Sequence, residues 1–208
     1  MASAAAVECC RTSAPACGRA LIAVNPRYYT VIYAAKNVLR IISHAGKQEI
    51  LPMHAVESNL ARLGITLPAA PAPVASYVPF VQAGSLVFIS GQLPTRDGKL
   101  QFKGRVAASD AIEPARGAAR LAAINAIAVL RNACQGDWSR LVRIVKLTVF
   151  VACEADFDRQ PVVANGASDL VVEVFGEAGR HARAAVGTNA LPLGSTVELE
   201  MIAQLAAS

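Results

Sequence analysis

The chain has 208 residues, 54% of them hydrophobic and 17% charged. That balance excludes a disordered, highly charged chain, and no apolar run approaches the roughly 18–20 residues a membrane-spanning helix needs. Formal net charge is +5, but residues 1–52 hold six Lys/Arg against two Asp/Glu while residues 53–208 hold 14 against 13. The nearly neutral body makes no electrostatic case for nucleic-acid binding.

Residues 1–20 are rich in Ala, Ser and Cys, with two Arg and one acid, in the manner of transit peptides. Residues 21–52 hold short apolar pieces, Leu21–Val24 and Tyr28–Ala35, without clear amphipathic order. Residues 54–65 read as a short helix, because Val56, Leu60 and Leu63 fall at i, i+4 and i+7. Three Pro in residues 67–75 then break regular structure. Tyr77–Gln82 reads as a first strand and Leu86–Ser90 as an apolar second one. Arg96-Asp97-Gly98-Lys99 carries the Asp-Gly hairpin signal.

A long helix follows, with Asp110 or a neighbour as its cap, Glu113 and Pro114 in its first turn, and an end near Gly136. In the strand over residues 141–152, alternation puts Leu141, Arg143, Val145, Leu147, Val149 and Val151 on the apolar face. Residues 159–178 read as a helix with a Val163, Ala167, Leu170, Val171, Val174 stripe, stopped by Gly176 and Gly179. Arg183–Val186 opens another strand, Leu191–Gly194 is a turn, and Thr196–Leu205 is the last strand, with Val197, Leu199, Met201, Ala203 and Leu205 on one face. The order is ββαβαββ, an α+β layer with two helices on one face of a mixed sheet. The other sheet face keeps large apolar groups and needs cover, which predicts an oligomer.

The chain lacks Gly-x-Gly-x-x-Gly, the P-loop, Gly-x-Ser-x-Gly, His-Glu-x-x-His and EF-hand patterns. It has no Cys-x-x-Cys, so reduced, buried thiols in an intracellular protein are expected for its five Cys. His44, His54 and His181 are scattered, and His181 reads as a surface or packing residue. The informative polar residues lie in strands. Arg183 could clamp a carboxylate through two parallel hydrogen bonds, or form a surface ion pair. Glu198 could orient or deprotonate a water, or be a solvent-facing strand residue. Glu200 is read as solvent-facing. Tyr77 could close a pocket or simply pack.

Three stretches decide between these readings. Tyr77 precedes Leu86-Val87-Phe88-Ile89-Ser90-Gly91-Gln92. Asn125 precedes Val142–Val151. Arg183 precedes Leu191-Pro192 and then Val197-Glu198-Leu199-Glu200-Met201-Ile202-Ala203. Over about residues 60–205 the chain resembles the RidA/YjgF family of reactive-intermediate deaminases, also called L-PSP endoribonucleases, with a chorismate-mutase-like fold. Residues 165–183 resemble a diverged YjgF-like branch. The resemblance implies a homotrimer with a barrel-like core and active sites at subunit interfaces. It implies that Arg183 binds the carboxylate of a 2-imino or 2-enamino acid and that Glu198 orients the attacking water. Tyr77 would line the pocket from a neighbouring chain, and main-chain groups near Ala185 would contact substrate. Ala185 stands where the family often has Cys. Either Asn165 or Ser168 would match the family's helix residue facing the site. No metal or organic cofactor is implied.

The expected domain is therefore 53–208. Residues 1–52 are an extension, either a targeting segment or, preferably, a poorly ordered, over-called start preceding Met53. The expected activity is deamination of imino acids to 2-oxo acids and ammonia. A non-catalytic trimer binding small carboxylates is the alternative, and ribonuclease activity is less favoured. The expected location is the cytoplasm, or an organelle if residues 1–52 are a transit peptide. Neither membrane nor nucleic-acid partners are expected.

Overall fold

The computed structural model describes residues 22–25, 28–35, 38–43, 53–69 and 77–207. The chain divides into two compact units, Met1–Gln48 and Glu49–Ser208. In the first, strands β1 (Ile22–Asn25), β2 (Tyr28–Ala35) and β3 (Val38–Ser43) pair antiparallel in that order. The short apolar pieces of this stretch thus coincide with β1 and β2.

The second unit opens with helix α1 (Met53–Arg62), which buries Val56 and Leu60 as the spacing requires. Gly64, with φ of +66°, ends it. The Ile65 N–H returns to the Leu60 carbonyl at 2.9 Å, the wrap-around bond that a left-handed glycine permits. The remaining elements are β4 (Phe80–Ala83), β5 (Leu86–Gln92), β6 (Thr95–Arg96), β7 (Lys99–Leu100), α2 (Glu113–Ala133), β8 (Leu141–Ala152), α3 (Gln160–Phe175), β9 (Ala182–Thr188) and β10 (Val197–Leu205). Asp97 and Gly98, with φ of +51° and +71°, close the β6–β7 hairpin as a type I′ turn.

The main sheet has the order β4-β5-β10-β8-β9, antiparallel except for the β8–β9 pair. That parallel pair needs a crossover, and α3 supplies it. The expected α+β mixed sheet is present, but its helix layer has three members rather than two. The reason is that α1 is tied into the core. Asn59 Nδ2 donates to the Val174 carbonyl of α3 at 3.0 Å, and buried Trp138 donates to Glu57 of α1 at 3.0 Å while its ring meets Phe175 edge-on.

The α2–α3 crossing is close because both helices are built from small residues there. A Cβ on Gly166 of α3 would collide with the Arg116 backbone of α2. Two bridges, Arg116–Asp169 and Arg120–Glu173, flank this contact at 3.3 Å each. At the start of α2 no side chain caps the helix. Asp110 instead accepts from the Ala107 N–H at 2.8 Å.

Strand β10 buries Val197, Leu199, Met201, Ala203 and Leu205 beneath the helices, as alternation requires. Strand β8 departs from simple alternation. It buries Leu141, Ile144, Leu147, Val149 and Val151, while Arg143 is exposed and Val145 only half-buried. Its pairing with β10 skips a residue at Val145 and again at Val142. Each bulge turns the strand over once, so the inward set shifts register twice.

Candidate functional site

Glu198 and Glu200 project from β10 onto the sheet face away from the helices. Cross-strand neighbours of Glu198 are Phe150 on β8 and, across the bulge in the β5–β10 pairing, Gly91 on β5. A Cβ at Gly91 would collide with the Glu198 carboxylate, so the Gly of Ser90-Gly91-Gln92 is the space that carboxylate occupies. Burial, and then the neighbouring Glu200 charge, push the half-buried Glu198 carboxyl above its ordinary value. Among the described residues Glu198 has no ion-pair partner, and Glu200 is exposed.

The segment around Tyr77 is pinned beside Gly91. Ser90 Oγ donates to the Val78 carbonyl at 2.7 Å, and the Ser90 N–H donates to the Pro79 carbonyl at 3.0 Å. Tyr77 itself is half exposed and begins no strand; β4 starts three residues later, at Phe80. Asn125 explains itself as a buried polar group in an apolar helix. Its amide donates to the Leu93 and Thr95 carbonyls and to Thr95 Oγ1 at 2.8 to 3.1 Å, fixing the loop that leaves β5.

Arg183 lies on the edge strand β9 and on the other sheet face. Its backbone pairs with buried Leu147, so its side chain stands on the helix side. There it meets Asn165 and Ser168, three apart on one side of α3. Arg183 Nη1 donates to Asn165 Oδ1 at 2.8 Å and to Ser168 Oγ at 3.0 Å. Both helix residues that sequence left as alternatives therefore face Arg183. Ala185 is next on the same side of β9, half-buried against the core. Beyond it Gly187 borders a cleft of about 410 Å³ lined by Arg105, Cys153, Gln160 and Thr188.

His181 belongs to this cluster although sequence reading set it aside. Its Nε2 lies 3.0 Å from Ser168 Oγ and its Nδ1 lies 2.6 Å from the Gly179 carbonyl. The available signal was the two-residue step from His181 to Arg183, which in an extended segment places both on one side. Cys134 and Cys153 are free and buried. Among the described residues no group of three or more His, Cys, Asp or Glu is placed to hold a metal ion.

One chain thus brings Arg183, Asn165, Ser168 and Ala185 together, and separately brings Glu198, Gly91 and the Tyr77 segment together. Strand β8 lies between β9 and β10, and Val186, three residues beyond Arg183, is level with Phe150 and Glu198. The two clusters are about 10 Å apart across the sheet and about 10 Å along it, on opposite faces. The open face also exposes Val81, Phe88 and Val186 by about half.

Residues 57–205 match the family model described as "YjgF/chorismate_mutase-like, putative endoribonuclease". The chain belongs to this YjgF-like family. It is 46% identical over 151 residues to protein TCP17 of Trypanosoma cruzi, spanning 72% of this chain and 94% of that one. Among solved structures it is similar to protein Atu1372 of Agrobacterium tumefaciens, of unknown function, at 42% identity and a TM-score of 0.68, covering 74% of this chain and 96% of that one. It is similar also to a "putative endoribonuclease" of Shewanella oneidensis, at 37% identity and a TM-score of 0.69, covering 73% and 99%. In this YjgF-like chain the Ser-Gly-Gln strand end and Glu198 build one cluster, Arg183 with Asn165 and Ser168 builds the other, and Asn125 fixes the loop that leaves β5.

Proposed function

We propose that the protein is a homotrimer that hydrolyses 2-imino and 2-enamino acids to 2-oxo acids and ammonia. The clefts lie between copies, with Arg183, Asn165, Ser168 and Ala185 of one facing Tyr77, Gly91 and Glu198 of the next. The observation that carries this reading is the division of the polar residues into two half-sites on opposite faces of one sheet. Neither half alone can hold a small substrate and aim a water at it. The exposed Val81, Phe88 and Val186 support a second copy as the cover of the open face. Three such sheets would close into a barrel-like core.

The chemistry is balanced by these residues. The Arg183 guanidinium holds the substrate carboxylate, which places the C=N carbon in the cleft. Glu198, with its raised proton affinity, takes a proton from water as the water oxygen bonds to that carbon. Glu198 passes that proton to the substrate nitrogen, giving the carbinolamine. The carbinolamine hydroxyl proton then moves to the same nitrogen as the C–N bond breaks, so ammonia leaves and the C=O of a 2-oxo acid forms. Water and imine are the only reactants, and the proton taken by Glu198 returns with the ammonia.

Ammonia release from enzymatically generated 2-imino acids, measured on the full chain with its mass by light scattering, tests this. A trimer that accelerates release, with the rate lost in Arg183→Ala, is the expected result. Val186→Asp on the open face should give a folded monomer without activity. An intact trimer that accelerates nothing across several side chains would overturn the enzyme reading in favour of a non-catalytic carboxylate-binding trimer. The same Arg183 cluster supports that second reading. Ribonuclease activity, suggested by the description of the family model, has the near-neutral body against it.

A further inference from the structure

Four groups in a row link the backbone after α3 to the Arg183 head. A carbonyl only accepts, so the short 2.6 Å contact between Gly179 and His181 requires a proton on Nδ1. Burial, opposed by the Gly179 hydrogen bond, and then the Arg183 charge hold the His181 imidazole below its ordinary pKa, so the ring is neutral near pH 7. A neutral ring with its proton on Nδ1 has a lone pair on Nε2. Ser168, 3.0 Å away, must therefore give its single hydroxyl proton to Nε2. Its oxygen then presents only lone pairs towards Arg183, as Asn165 Oδ1 does.

A guanidinium carries five donors, two of them on Nη1. Ser168 and Asn165 take both of these at 3.0 and 2.8 Å. Among the described residues the Nε–H and the Nη2 hydrogens have no partner, and Arg183 has no ion pair. We propose that His181 is a positioning residue. Its ring, oriented by the Gly179 carbonyl, makes Ser168 an obligate acceptor that anchors Nη1, so that the Nε–Nη2 edge of Arg183 is presented as a rigid fork for one planar carboxylate. Asn165 turns its oxygen to Arg183, and among the described residues its amide N–H₂ has no partner, which leaves it for an acceptor next to that carboxylate. A 2-oxo or 2-imino acid has such an acceptor on C2, whereas a simple alkanoate has none. This inference rests on the carboxylate-site reading and names the groups that set its specificity.

Two measurements on the full chain separate the inference from that reading. The first needs no ligand. Nitrogen-15 spectra of the three histidines, with His181 assigned through His181→Gln, should show His181 as the Nδ1–H tautomer, the minor neutral form of free histidine. The Arg183 side-chain signal should be ordered in wild type and mobile in His181→Leu. The Nε2–H tautomer, or an Arg183 equally ordered in the Leu variant, would overturn the inference. The second is calorimetric binding of 2-oxobutanoate. Loss of the anchoring bond should weaken binding about tenfold in His181→Leu. His181→Gln, whose side-chain oxygen can replace Nε2 as acceptor, should bind as wild type does. Equal binding by the Leu variant, or failure of Gln to rescue, also overturns the inference. If wild type binds no 2-oxo acid while the histidine signals are as expected, the carboxylate-site reading falls and the ordering role of His181 stands.

Discussion

Gly91→Ala isolates the geometry of the Glu198 half-site. Gly91 does not occupy the left-handed region, so alanine meets no backbone strain there. The obstacle is a side chain: the new Cβ would collide with the Glu198 carboxylate and lie 2.9 Å from its Cδ. The Glu198 side chain is flexible and half-buried, so it can swing aside at modest cost. Stability should therefore change little, within about 1 kcal/mol, less than overpacking costs in a sealed core. A displaced carboxylate no longer faces the water it must deprotonate, and a misplacement of about 1 Å costs on the order of 100-fold in rate. The assay is ammonia release and thermal melting of four proteins: wild type, Gly91→Ala, Glu198→Ala and the double variant. With Glu198 already shortened, the Gly91 methyl has nothing to displace, so the second substitution should add no further loss of rate. Additive losses of rate, or a stability loss in Gly91→Ala well beyond about 1 kcal/mol, would refute the reasoning.

Asn125→Ala leaves the Leu93 and Thr95 carbonyls without their donor and should cost about 1–3 kcal/mol, read as a lower denaturation midpoint with unchanged slope. Glu198 has a folded-state pKa above the unfolded value of 4.5, so the folded state binds the extra proton and wild-type stability falls as pH rises through that window. Glu198→Gln should therefore be the more stable protein at pH 7, with the gain vanishing as pH falls below 4.5. A gain that persists at pH 4 would contradict this. Burial pushes the Cys134 thiol up to about 11, so mass spectrometry should find it unmodified by iodoacetamide at pH 8 in the native protein and modified in denaturant.

Much of the local structure was legible because it depends on near neighbours in sequence. The α3 stripe, the alternation of β10 and the Asp97-Gly98 turn each follow from a period of 3.6, a period of two, or a pair of residues that tolerates positive φ. The facing of β8 was not legible, because its two bulges are defined by pairing with β10, more than 40 residues away. The helix over residues 54–65 is legible as a helix of the domain but not as a third member of the layer on the sheet, since its anchors, Val174 and Trp138, lie far along the chain.

The candidate site divides in the same way. Arg183, Glu198, Tyr77, Ala185, Asn165 and Ser168 could be named from sequence, because polar groups stand out in apolar strands and the family pattern marks them. Their sidedness could not. Which face a strand residue occupies is set by register with partners distant in sequence, and only the folded sheet puts Arg183 with α3 and Glu198 over Gly91. His181 is the sharpest case. In sequence only its two-residue step from Arg183 points to it. Its tautomer and its hold on Ser168 exist only because the turn after α3 brings the Gly179 carbonyl to one side of the ring and α3 packs Ser168 against the other.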